Sequence, residues 1–392
     1  MRRLGSALCI TILIGCSRMP AASLPTTGQP TTSASSFKTL FNFKRQNNGV
    51  IPVGALISLN GTLYGATNFG GRTSKECYPN NGCGVIYDMS PSGPYTVLYR
   101  FSGATSGARP YAGLIDVGGT LYGTAQEGGK HKQGTVFALT TSGSESVLHA
   151  FGGKDGSDPR TSLTSANGAL YGTTYYGGST ETGTVFTVST SGAEQVLHSF
   201  TGGADGSLPL GSLTYVNKTL YGTTSSGGAN NDGTVFAISP GGSSYTVLYS
   251  FQGGADGAYP FAGLTESNGT LYGTTQQGGA KNAGTVFAIT TASGSESVLH
   301  SFGSGKDGSK PLAGLTLLNG QLYGTTSAGG AKNLGTIYTI SPSGSESVVH
   351  SFPGGLGGEF PDANLTAISG VLYGTTMWSV GRKDGSVFEY TP

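Results

Sequence analysis

Charge is scarce in this chain: 10% of its 392 residues are Asp, Glu, Lys or Arg, and 21 basic against 20 acidic residues leave a formal charge of +1. That balance excludes the basic face of a nucleic-acid binder and the self-repelling charge of a disordered polyelectrolyte. One tryptophan and four cysteines are few enough to be accounted for singly. Apart from the N-terminus there is no apolar run long enough to cross a membrane as a helix, and no helix-length 3.6-residue periodicity. Rossmann, P-loop, nucleophile-elbow and zinc-protease motifs are absent too, so no catalytic residue is assigned. What the chain does have is turn residues and rings. Its 69 glycines and 17 prolines stay below the level at which low complexity is the default, while 20 tyrosines and 17 phenylalanines supply apolar area. A folded, turn-rich β protein is expected.

The N-terminus carries the one clear targeting signal. Met1-Arg2-Arg3 is followed by an apolar stretch, Leu4 to Gly15, too short to span a bilayer as a stable helix. It ends in "LIGCS", Leu13 to Ser17, which resembles a bacterial lipobox. That resemblance implies that residues 1–15 are a lipoprotein signal peptide and that Cys16 is lipidated and becomes the first mature residue. Ser17 lacks the aspartate that holds lipoproteins at the inner membrane, so the outer membrane or cell surface is implied; plain secretion is the alternative. Residues 16–36, ending in "LPTTGQPTTSASS", have no periodic apolar pattern and read as a flexible tether, with the folded part, 37–392, starting at Phe37.

From there one line recurs seven times. The tyrosine of an "LYG" motif falls at Tyr64, Tyr122, Tyr171, Tyr221, Tyr272, Tyr323 and Tyr373, spaced by 58, 49, 50, 51, 51 and 50 residues. A proline precedes each by twelve: Pro52, Pro110, Pro159, Pro209, Pro260, Pro311 and Pro361. A period near 50 belongs to propellers and arrays. Each copy reads as four short strands; in the sixth they are Ala313 to Leu318, Gln321 to Thr326, Gly335 to Ile340 and Glu346 to Phe352. Asn319-Gly320 between the first two is a strong hairpin signal, since both turn residues need positive φ. The final copy stops at Pro392 without a fourth strand, and "FKTLFNF", Phe37 to Phe43, aligns with the fourth strands elsewhere. A seven-bladed β-propeller of four antiparallel strands per blade, closed by the N-terminal strand, follows; an open solenoid would leave both segments unpaired.

Residues that recur serve the scaffold, so each candidate site is weighed against that use. Cys77 and Cys83 lie in the insertion that lengthens the first spacing; in an exported chain they predict a disulfide, and a metal site would need further ligands that the loop lacks. His149, His198, His300 and His350 share one place in the fourth strand with Phe41, Tyr99 and Tyr249, which reads as a slot for a flat ring. Asp155, Asp205, Asp256 and Asp307 sit in "DG" turns, one carboxylate per blade, too few for calcium. No metal and no cofactor is assigned. A catalytic or binding centre needs an asymmetric constellation, so the candidates are residues that break the repeat in the loops of one face: Arg72, Arg109, His131, Arg160, Tyr175, Tyr176, Trp378 and Arg382, with Glu127 and Lys130 beside them. Exposed aromatics beside arginine suit a sugar or a protein partner. Scattered acids, Glu127, Asp158, Glu359 and Asp362, are the only material for an acid pair.

The lines "LYGTTQQGGAKNAGTVFAI" and "SVLHSFGSGKDGSKPLAGLT" resemble the bacterial Gloeo-Verruco tandem repeat, GloVer, over Phe37 to Pro392. Likeness to kelch propellers is looser, because the kelch tryptophan is missing. GloVer chains are grouped as choice-of-anchor proteins, so the resemblance implies a surface location, with Cys16 as the anchor, but no established activity. The expectation is a lipid-anchored, monomeric propeller that touches the membrane through its lipid, binds a protein or glycan on one face, and binds no nucleic acid. The alternatives are a carbohydrate-active hydrolase or lyase with its site at the axial opening, or a passive surface spacer.

Overall fold

A computed structural model of the chain describes residues 35–44, 46–77, 81–303, 305–379 and 384–392. The signal segment, Cys16 and the tether up to residue 34 lie outside the described residues, as does Arg382. Ser35–Pro392 forms one compact unit. Its 28 described strands make seven four-stranded antiparallel sheets. Six sheets are consecutive in sequence, and the seventh joins the N-terminal strand Ser36–Asn42 to Ser386–Thr391, Val371–Thr376 and Thr366–Ile368. Phe37 pairs with Tyr390 and Asn42 with Ser386, so the two chain ends share a sheet and the ring has no open edge.

The sixth blade shows why each stretch takes its place. Its strands are Thr316–Leu318, Gln321–Thr326, Thr336–Ile340 and Glu346–Ser351. Asn319 and Gly320 take φ of 51° and 77°, as the two-residue hairpin requires. The innermost strand is shorter than its sequence pattern, and Ala313 to Leu315 do not join it. Those residues bond instead to the neighbouring blades: Thr274 Oγ1 donates to Ala313 O at 2.9 Å, and Gly314 N donates to Asn364 Oδ1 at 2.6 Å. A segment committed to two neighbours cannot also complete a ladder in its own blade.

Blades are held together by what lies between them. Seven apolar clusters fill the seven seams. In the seam between the fourth and fifth blades, Tyr221, Val235 and Phe251 meet Leu264, Leu271, Phe287 and Ile289. Successive strand residues point to opposite faces, so the Leu of "LYG" packs toward the preceding blade and the Tyr toward the following one. The glycine makes room: Gly273 lies opposite Phe287, and a Cβ there would fall 2.4 Å from the ring. The other six blades repeat this contact with Phe or Tyr at 2.4 to 2.7 Å. Nearer the axis, Thr164, Thr214, Thr265, Thr316 and Thr366 each donate Oγ1 to the carbonyl of a leucine in the next blade, at 2.5 or 2.6 Å. The last of these runs from Thr366 to Leu56 and closes the ring. Ile57 and Ile115 hold the same place in the first two blades and have no hydroxyl to offer. Cys77 and Cys83 form a disulfide, with Cα atoms 5.0 Å apart, and pack into the first seam.

Gly273→Ala is expected to lower unfolding stability by about 1–3 kcal/mol through overpacking against Phe287. Gly241→Ala, where a Cβ meets nothing within 4 Å, serves as the neutral control in urea titrations.

Candidate functional site

Each marker proline follows a residue held in the left-handed region. Ile51, Arg109, Asp158, Leu208, Tyr259, Lys310 and Phe360 all have φ between 55° and 60°. That conformation is uncommon outside glycine and persists only where its surroundings hold it. Here both sides do: Asp158 N donates to Gln133 O in the preceding blade at 2.8 Å, and Asp158 O accepts from Tyr175 N at 3.1 Å. The chain then turns through the proline toward the axis, and the residue after the proline reaches the central opening. Around the ring these are Val53, Tyr111, Arg160, Leu210, Phe261, Leu312 and Asp362, and all seven line one cavity of about 330 Å³.

The scaffold is seven-fold, but this ring is not. Four of its members are apolar, and the polar ones are Tyr111, Arg160 and Asp362. Arg160 is already paired: its Nε and Nη2 donate to both carboxylate oxygens of Asp158, at 2.9 and 2.6 Å, and its guanidinium lies 4.3 Å from the centre of the Tyr175 ring. Asp362 is different. The residue keeps one side open to the cavity, but its Oδ1 has no solvent-exposed surface and no hydrogen-bond partner. Burial pushes its carboxyl up to about 7, with its own backbone N–H offsetting only part of that. Burial likewise pushes the Tyr111 phenol up to about 12, with the charge of Asp362 adding to it. A buried carboxylate oxygen left without a donor at a cavity wall costs stability in the free protein, which marks Asp362 as a site candidate.

Among the described residues, Arg109, Tyr175, Tyr176 and Trp378 of the symmetry-breaking set lie at or beside bridges between loops. The loop before each inner strand bridges to the segment leaving each LYG strand, as in Ser157 with Tyr176 and Glu359 with Trp378. Arg109 Nη1 donates to Glu127 at 2.6 Å, Nε donates to Asn68 at 3.2 Å, and the guanidinium lies 4.9 Å from the Phe69 ring centre. Tyr175 and Tyr176 meet edge to face at 4.4 Å, and Trp378 packs on Phe360 at 4.6 Å. Most of these groups are therefore spent on one another. Arg72, Lys130 and His131 are exposed farther out; His131 lies by the turn at Gly152, near the rim. Of the scattered acids, Glu127 and Asp158 are paired with arginines, Glu359 is 5% exposed, and Asp362 alone lines the cavity. Tyr111 and the ring as a whole escaped the sequence reading. The signal was the column after the marker proline, where Arg160 and Asp362 stand among hydrophobic residues.

At the rim, the histidine row and the aspartate row prove to be one feature. Every fourth strand carries a register shift, which turns the shared slot into the seam with the next blade. His198 stacks on Tyr245 with ring centres 3.9 Å apart, His350 on Phe37 at 3.9 Å and Phe41 on Tyr95 at 4.3 Å. In the other seams the next blade offers glutamate instead of an aromatic ring: Glu145, Glu194, Glu296 and Glu346. Tyr99 donates to Glu145 at 3.1 Å, and Tyr249 to Asp256 at 2.9 Å beside Glu296. Burial, and then the charge of Asp256, push Glu296 up to about 7.

The family described as the Gloeobacter/Verrucomicrobia repeat matches residues 29–228 and again residues 177–388. No curated protein matches the chain. Among solved structures, the extracellular domain of a candidate one-component system, BT4673 from B. thetaiotaomicron, has a TM-score of 0.59 at 11% identity. The match covers 89% of this chain and 40% of that one. A nidogen/laminin complex chain has a TM-score of 0.42 at 20% identity over 63% of this chain and 79% of its own. At these identities the BT4673 likeness shows the fold alone.

Because Asp362 is protonated more readily folded than unfolded, its cost appears as pH rises from its ordinary value near 4 and is complete above about 7. Asp362→Asn is expected to be more stable than the parent chain at pH 8, by a few kcal/mol, and equal to it below pH 4. Urea unfolding across that range checks the sign.

Proposed function

This chain belongs to the Gloeobacter/Verrucomicrobia repeat family, and from that premise we propose that it is an exported binding module whose ligand enters the axial cavity. The observation that carries this reading is the unpartnered, buried Oδ1 of Asp362 in a ring otherwise made of apolar residues, the Tyr111 phenol and an arginine already paired with Asp158. A volume of about 330 Å³ lies at the low end of ligand pockets. It suits one sugar ring at the end of a glycan, or one side chain inserted by a protein partner. Such a group presents apolar surface to Leu210, Phe261 and Leu312 and a hydrogen-bond donor to Asp362.

Catalysis on a glycan is the second reading, and the geometry favours it less. Two carboxyl groups about 5–9.5 Å apart must act across the bond that breaks. No second acid lines the cavity among the described residues, and Asp158, beside the cavity-lining Arg160, has both oxygens committed to it. An extracytoplasmic setting is supported by the signal-like N-terminus. Among the described residues no helix is long and apolar enough to cross a membrane. In this reading the lipid on Cys16 is the tether that holds the propeller at the outer membrane or cell surface.

Glycan-array and affinity-capture binding with the propeller Ser35–Pro392 tests the site. Asp362→Ala is expected to weaken retention at least tenfold, while Trp378→Ala, which lies outside the cavity wall, leaves it intact. The opposite pattern would move the site to the loop layer, and release of cleaved glycan without retention would favour the enzyme. Intact mass of the mature N-terminus is expected to show a diacyl or triacyl Cys16; an unmodified start at Ser23 or later would sink the anchor.

A further inference from the structure

Two of the seven rim seams gather three different donors that the other seams do not complete. Between the second and third blades, His149, Asp155 and Glu194 each place one donor atom so that all lie within 4.8 Å of one another. Between the fifth and sixth, His300, Asp307 and Glu346 do the same. The aspartates are pre-aimed by their turns. Asp155 Oδ1 accepts from Gly152 N at 2.7 Å, which leaves Oδ2 facing His149 Nε2 at 2.7 Å. Asp307 accepts from Gly303 N through Oδ2 and faces His300 Nε2 with Oδ1 at 3.1 Å. The glutamate arrives from the next blade, and in both seams its Oε1 has neither solvent contact nor a hydrogen-bond partner.

We propose that each of these two seams binds one first-row divalent cation through the imidazole Nε2 and the two carboxylates. An ion held at about 2.0–2.2 Å by nitrogen and carboxylate oxygen sets neighbouring donors about 3.4 Å apart. To reach that spacing the His300–Asp307 pair opens from 3.1 Å by about 0.3 Å and the His149–Asp155 pair from 2.7 Å by about 0.7 Å. Three protein donors and an open side toward solvent make an incomplete tetrahedron that water fills. Calcium, which takes six to eight oxygens, is poorly matched. The ring carries its own controls: Tyr245 replaces the glutamate opposite His198 and Asp205, and Tyr249 replaces the histidine beside Asp256 and Glu296. A bound ion joins the outer strand of one blade to that of the next, where apolar packing is thinnest.

The propeller Ser35–Pro392, stripped with a chelator and titrated with Zn²⁺ against a chromogenic competitor, is expected to take up two ions, with Ca²⁺ failing to displace them. His149→Phe leaves one, and adding His300→Phe leaves none within tenfold of the original affinity. Both variants are expected to fold, because Phe41 fills the same slot in the last blade. Tyr249→His, which completes the seam of Asp256 and Glu296, raises the count to three. Uptake that the double His→Phe variant does not change, in a protein whose circular dichroism matches the parent, overturns the proposal, as does a count that Tyr249→His leaves at two.

Discussion

Everything in this ring depends on how closely two sheets can lie together, and the contact that sets it is an aromatic ring resting on a bare backbone. Where Phe287 covers Gly273, the sheet has no side chain to push the ring away, so it lies in the seam beside the leucines of its own blade. Seven such contacts, alike in depth, produce seven alike seams. Alike seams are what allow a chain of about 50-residue units to close on itself without strain collecting in the last one. Threonine-to-carbonyl bonds near the axis then fix the rotation of each blade against the next.

Regularity of that kind leaves function to the places it does not control. Seams must repeat, but the residue that projects into the central opening belongs to none of the seven seam clusters, so its identity is free to vary. There the chain places an acid whose Oδ1 has no partner, a phenol and an arginine already satisfied by its own loop. The rim is the other place of freedom, because outer strands are half-covered and tolerate ring, carboxylate or imidazole in one slot.

The fold was legible in the sequence because periodicity, hairpin chemistry and the missing last strand are all local or end-to-end features. Blade count, strand order and ring closure by the segment from Phe37 follow from them, the Cys77–Cys83 bond follows from two cysteines sharing one inserted loop, and the structure agrees. Its innermost strands were misjudged in length, since hydrogen bonds to adjacent blades, as at Gly314, leave no trace in a single copy. The mutual pairing of the loop residues, as of Arg109 with Glu127, could not be read. Columns were judged one at a time, and so His149 and Asp155 in one copy were never set beside Glu194 in the next. Only the ring brings them together.

The closing strand also imposes an order in time. Ribosomes make the chain from its N-terminus, so Ser36–Asn42 emerges first and its partner, Ser386–Thr391, emerges last. At about 5–20 residues per second the first strand waits roughly twenty seconds to a minute with its pairing edge bare. The seventh blade is thus a clasp that cannot be fastened until Ser386–Thr391 has been made. A circularly permuted chain that began at Ile57 would carry its whole seventh blade as one continuous stretch, and would remove that wait.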